Sequence, residues 1–251
     1  VTPTEDGIWS LDEGTGVTAA DSVGQPARPL TVVGPVWGSG PHKLFDSRAG
    51  DMSLEFDGIN DYAASTAPVL DTTRSFAVSV HVLLDPSRVG GPQSLSVLSQ
   101  AGVDRSGFRL GYSASCPGMT GGCWSFAMPD TAATNTETIV RSQVPVTGGE
   151  WTNLVAEYDS TARQMRLWVC EIGTPADPAI GEPISSLVAR PIAPWPAPGP
   201  FEVGRSLSDG VYSGYWDGSV DNVRVFSGQV ISEAKIRRLC QGAEAGDFLQ
   251  G

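Results

Sequence analysis

The sequence contains two pairs of carboxylates, Glu55 with Asp57 and Glu157 with Asp159. The members of each pair are two residues apart in strand-like sequence, a spacing that places both side chains on one face of the strand. Glycoside hydrolysis needs one carboxyl group as the acid and another as the nucleophile or base. Asp57 continues as Gly-Ile-Asn-Asp and Asp159 as Ser-Thr-Ala, so neither pair gains a second glutamate. We therefore expect no catalytic residues here and no hydrolase activity.

Histidine, the usual base beside a serine or cysteine nucleophile, occurs only at His42 and His81. His42 follows Gly40-Pro41 in a loop pattern, and His81 lies on the less apolar side of a strand pattern. The chain contains no Gly-x-Ser-x-Gly elbow. We interpret both histidines as surface or structural residues.

Aspartates supply the oxygen ligands that Ca²⁺ prefers. Asp221 stands inside an apolar strand, where an ionised and unpaired carboxylate costs several kcal/mol, so it needs a cation, an arginine or backbone donors. Alternation predicts that Asp221 shares a face with Val223 and Val225. Asp57 and Asp61 form a second acidic cluster, which could bind calcium or simply build a turn through Asx hydrogen bonds.

Aromatic side chains in or beside loops are the candidates for sugar binding, since stacked rings with a few polar neighbours make up most carbohydrate sites. These candidates are Trp195, Tyr212, Tyr215 and Trp124. Trp195 lies between prolines, in the stretch from Pro191 to Pro200, and its alternative role is to anchor that loop on the sheet. The remaining tryptophans of strand patterns, Trp9, Trp151 and Trp168, are predicted to be core.

The cysteines are even in number and have no CxxC spacing, which favours disulfides over zinc. Cys116 and Cys123 bracket a turn-rich insert, so a bridge between them would staple a hairpin loop. Cys170, at the end of a strand, then pairs with Cys240 on the terminal helix. Disulfides imply an oxidising, extracellular compartment.

The formal net charge is −12, from 28 acidic and 16 dispersed basic residues, which makes nucleic acid an unsuitable partner. Lysine occurs only at Lys43 and Lys235, which also disfavours a polyanion such as heparin. The acidic excess fits cation binding or a solvated surface. No apolar run approaches the roughly 20 residues of a membrane helix, so we expect no membrane insertion.

Strand patterns recur about every ten residues, which is typical of a sandwich or jelly roll. The sequence predicts one all-β domain over 1–251, ending in a short helix that Ser232 caps. The predicted strands are Gly7 to Leu11, Thr31 to Val33, Met52 to Phe56, Tyr62 to Ser65, Ser75 to Leu84, Ser94 to Gln100, Gly107 to Tyr112, Cys123 to Pro129, Thr138 to Ser142, Trp151 to Tyr158, Gln164 to Cys170, Phe201 to Gly204 and Gly214 to Phe226.

Three motifs, in this order along the chain, carry a family resemblance. They are the opening Trp9-Ser-Leu-Asp-Glu-Gly-Thr-Gly16 with Ala20-Asp21-Ser22, the turn Phe56-Asp-Gly-Ile-Asn-Asp-Tyr62, and the ending Asp217-Gly-Ser-Val-Asp-Asn-Val-Arg-Val-Phe226. Together they resemble the laminin-G-like domains of the concanavalin A-like jelly-roll superfamily, in the form of secreted bacterial proteins. The resemblance covers nearly the whole chain and is more specific for fold than for function.

The resemblance implies an antiparallel two-sheet β-sandwich jelly roll. It also implies that a calcium ion could join the N-terminal segment to the last strand through Asp21 and Asp221. Glycosidases of this fold carry E-x-D-x-E or E-x-D-x-x-E on one strand, and this chain lacks the second glutamate.

We therefore expect a noncatalytic extracellular module, part of a larger secreted protein, that binds carbohydrate or a cell-surface glycoconjugate. The alternatives are a protein-protein adhesion module without a sugar site and, third, a glycosidase of the same fold.

Overall fold

The computed structural model describes residues 3–41, 50–131, 136–174, 181–190 and 193–240. His42 and Lys43 lie outside these ranges. The strands are β1 (Thr4–Trp9), β2 (Thr18–Ala19), β3 (Leu30–Val33), β4 (Val36–Ser39), β5 (Met52–Asp57), β6 (Tyr62–Ala64), β7 (Phe76–Leu84), β8 (Leu95–Ala101), β9 (Ser106–Ser113), β10 (Cys123–Pro129), β11 (Glu137–Pro145), β12 (Trp151–Asp159), β13 (Gln164–Gly173), β14 (Ile184–Ser185), β15 (Phe201–Val203), β16 (Ser206–Ser208), β17 (Val211–Ser213) and β18 (Asp217–Ser227). A 3₁₀ helix spans Pro86–Arg88, and helix α1 spans Glu233–Cys240.

The strands of the described ranges form two antiparallel eight-stranded sheets and a two-stranded ribbon. The first sheet has the order β14-β13-β12-β7-β18-β5-β4, and β1 pairs with the second half of β18. The second sheet has the order β11-β10-β9-β8-β15-β6-β3-β2, and β16 pairs with β17. This is the predicted all-β sandwich, and each predicted strand overlaps a strand of the structure.

The core lies between the two sheets and draws on residues from Trp9 to Val225. Strand β7 illustrates how alternation builds this core: every second residue, Phe76, Val78, Val80 and Val82, reaches it, as predicted. Aromatic rings fill the centre, where Phe108 contacts both Phe76 and Phe201. The predicted core tryptophans Trp9, Trp151 and Trp168 are buried.

The outer face of the first sheet is also covered, because α1 packs on it. Ile236 and Leu239 of α1 join a second apolar cluster with Trp168 and Phe226. The Ser232 hydroxyl accepts the Lys235 amide N–H (3.2 Å), which confirms the predicted cap. The described part of the chain has no helix long and apolar enough to cross a membrane.

Both predicted disulfides are present, Cys116–Cys123 and Cys170–Cys240. The first closes the loop between β9 and β10. The second ties the end of α1 to β13, so the helix is held covalently against the sheet that it covers.

Strand β18 contains an irregularity that the sequence pattern did not predict. Its register with β7 shifts between Asp221 and Arg224, where Asn222 has a φ of 48°. Because of this bulge, Val220, Val223 and Val225 all face the inter-sheet core. The prediction that Asp221 shares their face is wrong: it lies opposite His81, whose strand neighbours Val80 and Val82 point into the core.

Candidate functional site

A surface groove, which we call the tyrosine groove, opens at one end of the sandwich and has a volume of about 590 Å³. It lies where the turn after β5, the start of β8 and the end of the β16–β17 ribbon meet. Its lining residues are Gly58, Ile59, Gln93, Ser94, Leu95, Tyr212, Ser213, Gly214 and Tyr215. Two of the four predicted sugar-binding aromatics, Tyr212 and Tyr215, therefore share one concave surface.

The turn between β5 and β6 presents an apolar side chain at the rim of the groove. Asp57 Oδ1 accepts the Ile59 N–H (2.8 Å), and Asp61 Oδ2 accepts the Asp57 N–H (3.1 Å). Gly58 has a φ of +74° and lies so close to Asp217 that a side chain would collide with it. The closed turn leaves Ile59 69% exposed, available to contact a ligand.

The Tyr212 wall of the groove is fixed by a buried ion pair. The Arg205 guanidinium lies 3.3 Å from the centroid of the Tyr62 ring and 3.7 Å from that of Tyr212. Its Nε and Nη2 both donate to Glu202, which is fully buried, and the Tyr212 hydroxyl donates to the same carboxylate (2.8 Å). Burial, followed by the hydrogen bond to Glu202, raises the pKa of Tyr212 to about 12.

A smaller polar cavity adjoins the tyrosine groove and shares Ser94, Ser213 and Gly214 with it. We call it the arginine cavity; its volume is about 150 Å³. Its other lining residues are Ser96, Arg105, Ser106, Arg109, Pro129, Glu137, Ser206, Leu207 and Ser208. The two surfaces therefore adjoin, and one has an aromatic lining while the other has a basic, hydroxyl-rich lining.

The other two predicted sugar-binding aromatics lie elsewhere. Trp124 is 1% exposed and stacks on Trp216 in the core, so its ring has no face for a ligand. It lies at the beginning of β10, within the predicted strand from Cys123 to Pro129. Trp195 is half-buried, its ring covers Gly102, and its carbonyl accepts the Thr72 hydroxyl (2.6 Å). Trp195 thus anchors the proline-rich loop, the alternative role that its flanking prolines suggested.

Asp21, one of the proposed calcium ligands, organises the backbone around it. Its Oδ1 accepts the N–H groups of Ile8, Val23 and Gly24, and its Oδ2 accepts that of Arg28 (2.9 Å). Backbone donors already satisfy this carboxylate, so it does not need a cation.

Asp221 lies in a buried polar layer beneath α1. Its Oδ2 is 3.9 Å from His81 Nδ1, and His81 Nε2 lies 3.2 Å from the Leu239 carbonyl oxygen of α1. His81 is therefore a structural residue that connects the sheet to the helix.

The described residues contain no group of three or more His, Cys, Asp and Glu side chains that could hold a metal ion. Asp57 and Asp61 are neighbours on the turn between β5 and β6. Burial is the main cause that raises the pKa of Asp61. Neither proposed position, Asp21 with Asp221 or the turn of Asp57 and Asp61, forms such a group in the described residues, and calcium stays a prediction.

The carboxylates with glycosidase-like spacing do not converge on the groove. Glu157 is buried beside α1, where it accepts the Trp168 indole N–H (2.9 Å) and the Ile231 amide N–H (3.1 Å), and burial raises its pKa. Glu55 is on a different strand, with an exposed side chain. Among the described residues that line the tyrosine groove, none is acidic.

Sequence reasoning missed Ile59, Gln93 and the arginines of the cavity. Only Ile59 had a local signal, an apolar residue at the tip of an Asp-Gly-x-Asn turn. The others are brought together by pairing of distant strands.

No protein-family model matches the chain, and no curated protein sequence matches it. Solved structures do match it in fold. The receptor-binding domain of botulinum neurotoxin D aligns with a TM-score of 0.59 at 10% identity, over 95% of this chain and 52% of that one. Trypanosoma rangeli sialidase aligns at 0.58 and 14% identity, over 93% and 32%. A SAP-like pentraxin from Limulus polyphemus aligns at 0.50 and 10% identity, over 75% and 81%.

These identities are too low to transfer an activity, so the likeness shows the fold alone. The chain spans about half of the toxin domain and about a third of the sialidase. It is thus an antiparallel two-sheet jelly roll similar to β-sandwich domains of a toxin receptor-binding region, a sialidase and a pentraxin.

Proposed function

We propose that this chain is one laminin-G-like jelly-roll domain that acts as a noncatalytic, extracellular carbohydrate-binding module, with the tyrosine groove as its ligand site. The observation that carries the proposal is the meeting of Tyr212, Tyr215 and exposed Ile59 with the polar Gln93 and Ser94 in one groove. Sugar rings have apolar faces that stack on aromatic or aliphatic side chains and hydroxyl edges that need hydrogen bonds. The groove offers both.

Preorganisation supports a binding role. Tyr212 is held by Arg205 and Glu202, and the Ile59 turn is closed by the Asp57 and Asp61 carboxylates. A wall that is already ordered loses little conformational entropy when a ligand binds. The lack of acidic lining in the described groove supports a noncatalytic role, since hydrolysis of a glycosidic bond needs two carboxyl groups.

The competing proposal is a protein-protein adhesion module. A concave groove fits a narrow ligand better than a flat protein surface, which is why carbohydrate is preferred. The two disulfides support an extracellular location, because such bridges persist in oxidising compartments.

A glycan array with the wild-type chain, followed by calorimetry on the bound glycan, tests the proposal. Tyr215→Ala and Ile59→Ser should each weaken binding by roughly tenfold, about 1.4 kcal/mol, if each contributes a stacking or apolar contact. Val103→Ser is the matched control, since Val103 is also strongly exposed (77%) but is not part of the groove lining. No glycan binding, or equal loss in the control, would reject the groove as a sugar site.

A calcium ion is a separate part of the proposal, and the turn that contains Asp57 and Asp61 is its position. Each carboxylate already accepts at least one backbone N–H there. Melting curves in EDTA and in millimolar CaCl₂ test it: calcium should raise the melting temperature of the wild type and not that of Asp57→Asn. Identical curves for the wild type would exclude a stabilising calcium ion.

A further inference from the structure

The arginine cavity has an excess of hydrogen-bond donors. Of its two arginines, Arg105 donates through Nη2 to Asp209 (3.2 Å), which lies outside the lining. Arg109 donates through Nη2 to Glu137, and its buried Nε–H meets no acceptor among the described residues. One ion pair uses few of the five N–H donors of a guanidinium.

The serine hydroxyls add to this excess. Ser106 Oγ accepts the Leu207 amide N–H (2.9 Å), so its own proton is left for another acceptor. Ser96 Oγ and Ser206 Oγ lie 2.9 Å apart, and only one of them can donate to the other. A group with several acceptor oxygens and a negative charge complements such a lining, because charge-assisted hydrogen bonds are the stronger ones.

The cavity is also placed and sized for one group of a larger ligand. Its volume of about 150 Å³ is roughly ten times the ~10–15 Å³ that holds a single water by the same measure. It opens beside the tyrosine groove through Ser94, Ser213 and Gly214. A sugar ring in the groove could therefore extend a substituent into the cavity.

We propose that the arginine cavity binds a single anionic oxygen group, a carboxylate or a sulfate, on the saccharide that the tyrosine groove holds. This inference rests on the proposed function and specifies its ligand class as an acidic saccharide. It differs from polyanion binding, which needs a broad basic surface. Arg109 and Ser106 are the specificity-determining residues.

A glycan array that carries each core saccharide in neutral, carboxylated and sulfated forms tests the inference. We expect the acidic forms to bind at least tenfold more tightly than the matched neutral form, the effect of a charge-assisted hydrogen bond. The carboxylated and sulfated arms show which oxyanion the cavity accepts. Neutral and acidic forms that bind equally would overturn the inference and leave the proposed function standing.

Arg109→Gln should lower the ratio of acidic to neutral affinity to about one, whereas Tyr215→Ala should weaken both forms and keep that ratio. Arg237→Gln is the matched control. Arg237 is also partly exposed and forms an ion pair, with Glu182 (2.8 Å), but it lies on α1, away from the cavity lining. If thermal melting shows that Arg109→Gln is unfolded, Arg109→Lys, which keeps the charge without Nε–H, should reduce the preference in part. Equal loss of neutral and acidic binding in a folded Arg109 variant would indicate a structural role and overturn the inference. An array with no bound glycan at all would reject the proposed function as well.

Discussion

Replacing Arg205 by methionine removes the guanidinium that lies between two tyrosine rings while it keeps an unbranched apolar stem. The Arg205 side chain is 12% exposed, and its partner Glu202 is fully buried. Removing one member of a buried ion pair leaves an uncompensated charge and costs about 3–5 kcal/mol. Each lost contact with a tyrosine ring adds about 0.5–1 kcal/mol. We therefore expect Arg205→Met to lower the free energy of unfolding by about 4–7 kcal/mol.

Urea denaturation followed by tryptophan fluorescence measures this change. Arg237→Met is the control, because it breaks an ion pair at the surface, where such pairs contribute at most about 1 kcal/mol. The double variant Arg205→Met/Glu202→Gln should recover part of the loss, since it no longer buries an unpaired carboxylate. A loss below about 1 kcal/mol in Arg205→Met, or strict additivity in the double variant, would refute the ion pair as the support of the Tyr212 wall.

Three further outcomes follow from the structure. Removing the longer disulfide by Cys170→Ala/Cys240→Ala should cost about 4 kcal/mol by loop-closure entropy, against about 2.5 kcal/mol for the shorter bridge; equal losses in urea would contradict this. Asp21→Asn should lower the free energy of unfolding by about 1–3 kcal/mol, equally in EDTA and in CaCl₂, because its oxygens serve backbone donors; a loss confined to CaCl₂ would make Asp21 a metal ligand. Spectrophotometric titration should show Tyr212 ionising near pH 12. Because its raised pKa stabilises the folded state only while the hydroxyl stays protonated, the free energy of unfolding should fall as the pH rises from about 10 to 12. A titration midpoint of 10 would contradict the hydrogen bond between Tyr212 and Glu202.

Local patterns predicted the sandwich well because the alternation of apolar and polar residues is visible within the sequence of each strand. The alternation of β7 matches the core-facing side chains that the structure shows, and the cysteine positions at strand ends predicted both disulfides. In β18 the same reasoning placed Asp221 on the wrong face. A bulge at Asn222, where the register with β7 shifts, moves the alternation by one residue, and the local alternation does not display it.

The candidate site was predictable only in part, for a related reason. Tyr212 and Tyr215 were identified because they stand in loop-like sequence. Their setting depends on Ile59, which lies far away in the chain, and on Arg205, which directly precedes the β16–β17 ribbon but also contacts the distant Tyr62. Trp124 showed the reverse error: it stands beside the turn-rich insert, at the start of the predicted strand from Cys123 to Pro129, but its ring is buried in the core against Trp216.

Chemical-shift mapping of an array-selected glycan on the isotope-labelled chain tests the central claim most directly. The account predicts that the largest perturbations fall on Ile59, Tyr212 and Tyr215, with smaller ones extending to Arg109 when the glycan is acidic. Perturbations centred on the Trp195 loop, or the absence of any glycan that perturbs the groove, would contradict the assignment of the tyrosine groove as a carbohydrate site.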